Sequence, residues 1–329
     1  MSEPTTEASN EGATDKHSAA ETAGDGDWER WRAFTTEAYA HFHEKLLANR
    51  QQFPGLSDYA PVERAQATSG TFAWRWGAAS EIQETINSVN AWGMRLHEWG
   101  AWGQVVDSYE SDEDKLEVLH HFVESIAFFC MLQPSSLADR LTVVSETLLH
   151  QANCHVFPDE PDRLDQDDLR PGTTLRRSDR RKQLNRLGKH WLTFDAFRDA
   201  LGAMDGSDYK KVTRNFRDLS AHSFAPRLMM GQVIRAIRSI APWQEMVSQP
   251  EGGYLPVDHP TKKCVQYAMG AMDPLPLDTA HSANLAEYRK ALIAMRAFAT
   301  LIDELCKRMD THPSPMLQPS DGGAEKKLS

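Results

Sequence analysis

Apolar residues recur at steps of three and four through most of this chain, which is the periodicity of amphipathic helices. Trp31, Phe34, Ala38, Phe42 and Leu46 trace one stripe and predict a helix from Trp28 to Asn49, ended by Phe53-Pro54-Gly55. A second stripe, Ile82, Ile86, Val89, Gly93, Leu96, Trp99 and Val106, predicts a helix from Glu81 to Val106. Gly93, Gly100 and Gly103 each lower its helix propensity by up to ~1 kcal/mol, and they mark places where another helix can approach closely. Trp92 and Trp102 flank the stripe; aromatic residues at helical spacing point to core packing ahead of a stacking surface for a base. Phe72, Trp74 and Trp76 alternate, which fits either a short strand or an aromatic loop packed on the core.

Ser111 followed by Asp112, Glu113 and Asp114 has the form of an N-cap with acids in the first turn. Leu116, Leu119, Val123, Ile126, Phe129 and Cys130 carry an apolar face down to Pro134, and Leu137, Leu141, Val144, Leu148 and Leu149 continue it after Ser135-Ser136. The proline between them predicts an antiparallel pair of helices. A long connection rich in proline, glycine and aspartate comes next and predicts a flexible insert at 157–178. Beyond it come a basic helix over Asp179–Trp191 and a helix capped by Thr193 with Phe194, Phe197, Leu201 and Met204. Asp205-Gly206-Ser207-Asp208 ends that helix and starts the next. Leu228, Met229, Val233, Ile237 and Ile240 outline a closing helix that stops at Pro242. Residues 243–280 read as a wrapping segment, and Leu285 to Leu305 as one stripe of a C-terminal helix over 283–309. The expected architecture is therefore all-α. An acidic disordered tail (1–27), an N-terminal helical region (28–110), a helical bundle (111–242), the wrapping segment with its helix (243–309) and a second disordered tail (310–329) make up the chain.

Composition narrows the classes. Hydrophobic residues at 40% and charged residues at 25% are those of a soluble globular protein. No apolar run approaches the ~18 residues of a membrane span. Cys130, Cys154, Cys264 and Cys306 lie far apart, which argues against a zinc site or a disulfide framework and fits a reducing cytoplasm. His41 and His43 are two apart on a helix and point to different faces, so no metal or other cofactor is expected there. A net charge of -11 argues against a general nucleic-acid binder. One local exception is the basic island of Arg170, Arg176, Arg177, Arg180, Arg181, Lys182, Arg186 and Lys189, in which Asp179 is the only acid. It reads either as a solvated helix face or as a phosphate track for RNA.

The densest chemistry lies in the stretch Lys210 to Ser223. Val212, Phe216 and Leu219 form an apolar stripe, and Arg214, Arg217, Asp218 and His222 lie off it. Histidine can take and give a proton near neutral pH, and arginine presents a planar cation suited to phosphate. Arg217-Asp218 with His222 after three further residues resembles the arginine, polar, variable, histidine signature of the HEPN superfamily. That resemblance implies a four-helix bundle over about 112–242 with additional flanking helices. It also implies a homodimer that cuts RNA without metal to a 2',3'-cyclic phosphate, in a toxin–antitoxin or defence role. Under it His222 is the general acid or base, Arg217 stabilises the phosphate, and Asp218 with Arg214 orients them, while Arg176, Arg177, Arg180, Arg181 and Lys182 guide RNA. Other members of the family are inactive and serve as binding or assembly modules, so a non-catalytic module for a protein partner or a nucleotide is the competing expectation. At ~100° per residue Arg217 and His222 lie about 140° apart on a straight helix, whereas Arg214, Asp218 and His222 follow one stripe, so either the helix ends or bends or a partner protomer supplies the second group. The expectation is a helix end or distortion between Leu219 and Pro226, with His222 at the mouth of a groove between this helix and the next.

Overall fold

The computed structural model describes residues 14–159 and 175–312, with side chains not described for 14–25 and for Arg177. The chain is mostly helical, with one two-stranded antiparallel sheet. It divides into two compact units. The first comprises the described residues up to Phe53 together with His97–Val123; the second comprises Pro54–Leu96 and the described residues from Glu124 onward. No helix of the described residues is long and apolar enough to cross a membrane.

In the first unit, α1 (Thr14–Ala48) carries the predicted stripe and begins well before Trp28, so the expected disordered tail is already helical from Thr14. The part before Thr14 lies outside the described residues. The C-terminal part of α3 (Ala79–Ser108) supplies Trp102, which is sandwiched between Phe42 at 4.4 Å and Phe122 at 4.4 Å, with Tyr39 edge-on to it. The Trp102 ring is thus core. Ser111 caps α4 (Asp112–Val118) as predicted, its hydroxyl accepting from the Asp114 N–H at 3.0 Å.

The second unit is built along α10 (Leu277–Thr311), which packs on α2 (Ala60–Ala67), α5 (Glu124–Val156), α7 (Phe194–Gly202) and α8 (Ser207–Val212). Its apolar stripe is reinforced by polar contacts placed along its length. Glu304 accepts from the backbone N–H of Leu192 and Thr193 and from the Thr193 hydroxyl, at 2.6 to 2.9 Å, and so holds the segment that leads into α7. Arg64 of α2 pairs with Asp310 at 2.8 Å. Arg308 lies over the rings of Phe157 and Trp191. Asn284, fully buried, accepts from the Trp92 indole at 2.9 Å and donates to the Tyr209 hydroxyl at 2.7 Å; that hydroxyl donates to the Met131 carbonyl at 3.2 Å. One polar chain therefore ties α3, α10, α8 and α5 together.

Three further sequence expectations change. The predicted helical hairpin at Pro134 is absent: α5 runs from Glu124 to Val156 with Pro134 inside it. A mid-helix proline costs ~3 kcal/mol, which burial of Met131, Leu137, Ala138 and Leu141 on either side offsets. The alternation of Phe72, Trp74 and Trp76 is neither strand nor loop but the start of a helical segment that passes through a π turn at Trp74–Ala78. Trp74 is buried there, its indole donating to the Ala65 carbonyl at 3.2 Å, while Phe72 and Trp76 are exposed. The closing helix and the wrapping segment are instead the strands β1 (Val233–Ser248) and β2 (Tyr254–Met272) of a long hairpin. Val233, Ile237 and Ile240 fit a helical stripe, but β-branched residues lose rotamer freedom in a helix and suit a strand. Gly252 and Gly253, both at positive φ, make the turn. Met229 and Leu275 clasp the base, the Met229 N–H donating to the Leu275 carbonyl at 2.8 Å. Of the flexible segments read from the sequence, residues 160–174, Arg170 among them, and 313–329 lie outside the described residues.

Candidate functional site: the Arg217–Asp218 cleft

The motif stretch is not one helix. α8 ends at Val212 and α9 spans Phe216–His222. Between them the Asn215 N–H donates to the Lys210 carbonyl at 2.6 Å and the Arg214 N–H to the Lys211 carbonyl at 3.2 Å, the paired closure of a Schellman end. Arg214 takes the left-handed position, φ 53°, that glycine usually fills, and Asn215 comes next at φ 55°. The break removes Arg214 from the stripe it was expected to share with Asp218 and His222. Its guanidinium instead donates to the Asp273 carbonyl.

Arg217 pairs with its neighbour, Nη1 to the Asp218 carboxylate at 2.8 Å. Asp218 thus takes Arg217, and not Arg214, as its partner. The Arg217 guanidinium, then the Asn215 side chain, hold the Asp218 carboxyl below the usual carboxylate range, and Asp218 in turn raises the arginine. Asp218 also stands in the first turn of α9, where the helix dipole favours an acid without any catalytic reason. Both side chains are over 40% exposed, so the pair contributes only ~0–1 kcal/mol. Because the folded value is depressed, this contribution is present above the unfolded pKa near ~3.9 and is lost as pH falls through the folded value. Arg217→Ala is expected to return the Asp218 titration toward the ordinary range, read by carbon-13 NMR of the carboxyl. No movement would assign the depression to Asn215 and the helix end.

Arg217 and Asp218 line a cleft of about 90 Å³ with Ser135, Asp205, Tyr209, Lys210, Thr213, Asn215 and Phe216. Lys210 pairs with Asp205 at 3.1 Å, so each of the two cations in the cleft faces a carboxylate. The Asp205 N–H donates to the buried Glu287 at 2.9 Å, and Lys290 holds the other oxygen of Glu287 at 2.5 Å. Burial, with Glu287 and Asp205 adding to it, pushes the Tyr209 hydroxyl far above its ordinary range, so it stays a neutral anchor of the cleft floor. Phe216 packs edge-on to Phe128 of α5.

His222 does not line this cleft. It is exposed at the end of α9, where the Ser223 N–H closes on the Leu219 carbonyl at 2.8 Å and Ser223 leaves helical geometry. The helix end expected between Leu219 and Pro226 is therefore present. The chain then runs into the hairpin and not into a further helix. The basic island forms α6 (Arg177–Leu187), with Arg176 as its N-cap residue. Arg180 pairs with Glu146 at 2.8 Å and Lys182 with Asp179 at 3.7 Å, while Arg176 and Arg181 are exposed. Along α5, Phe128 beside the motif and Glu146 beside the island are separated by roughly 27 Å of helix. The structure thus brings Arg217 and Asp218 together and leaves Arg214, His222 and the island elsewhere. Asp205, Tyr209 and Ser135 escape sequence reasoning; a Gly-Ser turn and a helix restart carry no mark of a cleft wall, and only the buried partners Asn284 and Glu287 reveal it. No group of three or more metal-binding side chains occurs among the described residues.

No protein-family model matches the chain, and neither does any curated protein or solved structure.

Proposed function

We propose that this chain is a non-catalytic helical binding module, working through its surfaces and not through bond cleavage. The observation that carries the reading is the separation within the motif: Arg217 is committed to Asp218 in the cleft, whereas His222 stands exposed outside it. A metal-independent ribonuclease needs a proton-transfer group and a cation within reach of one phosphate, and one copy of the chain does not assemble them. The acidic net charge and the carboxylate facing each cation of the cleft add to this. Within the HEPN resemblance, the reading corresponds to members that bind without cutting.

Incubation of the full chain with mixed RNA in EDTA tests it. Wild type, Arg217→Ala and His222→Ala are all expected to leave the RNA intact. Cleavage by the wild type that both substitutions abolish would overturn the binding-module reading and establish the ribonuclease.

A further inference from the structure

The β1–β2 hairpin is more open than a two-stranded ribbon ordinarily tolerates. Such a ribbon is marginal in water by itself, yet this one leaves most of its side chains exposed on both strands. Its two faces differ. Residues opposite one another across the ladder share a face, as do alternate residues along each strand. Arg235 and its cross-strand partner Gly270 belong to the face that turns toward α9, Arg235 donating to the Ser223 hydroxyl at 2.6 Å. The half-covered residues on this length of the ribbon all lie on that face, Val233, Ala241, Cys264 and Met272 among them.

The other face is fully open and, apart from Arg238, apolar. It presents four cross-strand pairs in order: Ile234 with Ala271, Ala236 with Met269, Arg238 with Tyr267, and Ile240 with Val265. Ile234, Ile240, Tyr267 and Met269 are each 65 to 77% exposed. With Val265 they offer on the order of 700 Å² of apolar surface, more than the largest patch on a typical monomer and close to the ~800 Å² that one partner gives to a stable interface.

We propose that this face pairs with the same face of a second copy. The order of its residues makes it self-complementary about a two-fold axis parallel to the strands, because that axis sets β1 of one copy over β2 of the other at the same level. Ile234 then meets the partner's Ala271, and Ala236 meets the partner's Met269, so large side chains fill the space above small ones. Ile240 meets the partner's Val265. Arg238 lies over the ring of the partner's Tyr267, a cation–π contact. A two-fold across the strands through the middle of the four pairs would instead set Arg238 over the partner's Ala236 and Tyr267 over the partner's Met269, so the cation would lose its ring. Pairing through the strand edges is also disfavoured, since Pro242 on β1 and Pro256 and Pro260 on β2 interrupt them.

The pairing rests on the binding-module reading and names its partner. Sedimentation equilibrium of the full chain at micromolar concentration is expected to give a dimer. Ile240→Lys and Tyr267→Lys are each expected to raise the dissociation constant roughly a hundredfold, with unchanged circular dichroism because both side chains are already exposed in one copy. The axis is tested separately, in a Cys154→Ser, Cys264→Ser background, with a short bismaleimide. A chain carrying Ala271→Cys is expected to cross-link to its own copy, because an axis parallel to the strands keeps like residues at one level, whereas an axis across the strands through the middle of the four pairs would set the two copies of this residue roughly 20 Å apart. A monomeric wild type, lysine variants that fold and remain dimeric, or an Ala271→Cys chain that dimerises without cross-linking to itself overturns the proposal. A monomer that leaves RNA intact removes self-pairing and keeps the binding module. RNA cleavage removes the module whatever the oligomeric state.

Discussion

Asn284→Leu is expected to lower the unfolding free energy by about 3 to 5 kcal/mol, read as a fall in the urea midpoint at unchanged slope. Asn284 is fully buried and serves two partners at once: its carbonyl takes the Trp92 indole N–H at 2.9 Å and its amide donates to Tyr209 at 2.7 Å. Leucine is similar in size and fills the space, so the loss is not a cavity. The loss lies in two buried polar groups deprived of a partner, each costing ~1–3 kcal/mol. Tyr209→Phe removes the middle of the same chain and is expected to cost less, since the Trp92 bond survives. The two substitutions together should cost less than their sum, because each removes part of one network. A drop below about 1 kcal/mol for Asn284→Leu would show that the surrounding groups find other partners. The cleft makes the result more than a matter of stability. Tyr209 lines its floor, so loosening this chain in the core is also how the Arg217 side of the cleft would lose its shape.

Where packing obeys local pattern, the sequence is readable. The stripes of α1, α3 and α10 are continuous and polar on the other face, and burial rewards the same residues that periodicity selects. Ser111 is legible because capping is a contact within four residues. The failures share another cause, in which a local signal is outweighed by partners distant in the chain. Pro134 signals a helix end, but α10 packs along α5 and rewards its continuation. Val233, Ile237 and Ile240 satisfy two periodicities, and what decides between them is a strand that lies beyond a turn at Gly252 and Gly253. The α8–α9 break has no glycine or proline to announce it; Arg214 and Asn215 adopt left-handed geometry that only the closure onto Lys210 and Lys211 makes worthwhile. The candidate site suffers most from that break. An Arg-Asp-x-x-x-His string reads as one constellation on paper, yet the turn at one end and the helix end at the other send Arg214 and His222 away from Arg217.

Gly93→Ala is expected to destabilise the chain by about 2 kcal/mol, against the gain of ~1 kcal/mol that glycine-to-alanine brings to an unhindered helix. The sign is decided by what the added methyl group meets. A Cβ at Gly93 would run into the Tyr288 hydroxyl and the ring carbon that bears it. Neither can withdraw easily: Tyr288 is fully buried, its ring stands edge-on to Trp92 at 5.2 Å, and its hydroxyl donates to the Gly55 carbonyl at 2.9 Å. The same enclosure pushes the Tyr288 hydroxyl up to about 12, so it remains a neutral donor across the range in which the protein can be handled. Gly93 was expected from the sequence to allow a close approach, and the approaching group is this tyrosine of α10. Tyr288→Phe in the Gly93→Ala background is expected to recover part of the loss, because it deletes the nearest atom of the clash, while costing about 1 kcal/mol in the wild type through the lost bond to Gly55. Partial rescue in one background and damage in the other, measured by urea denaturation, would identify the clash as the cause. A Gly93→Ala chain as stable as the wild type would show that α3 and α10 can move apart at this point, and that the glycine is not what sets their spacing.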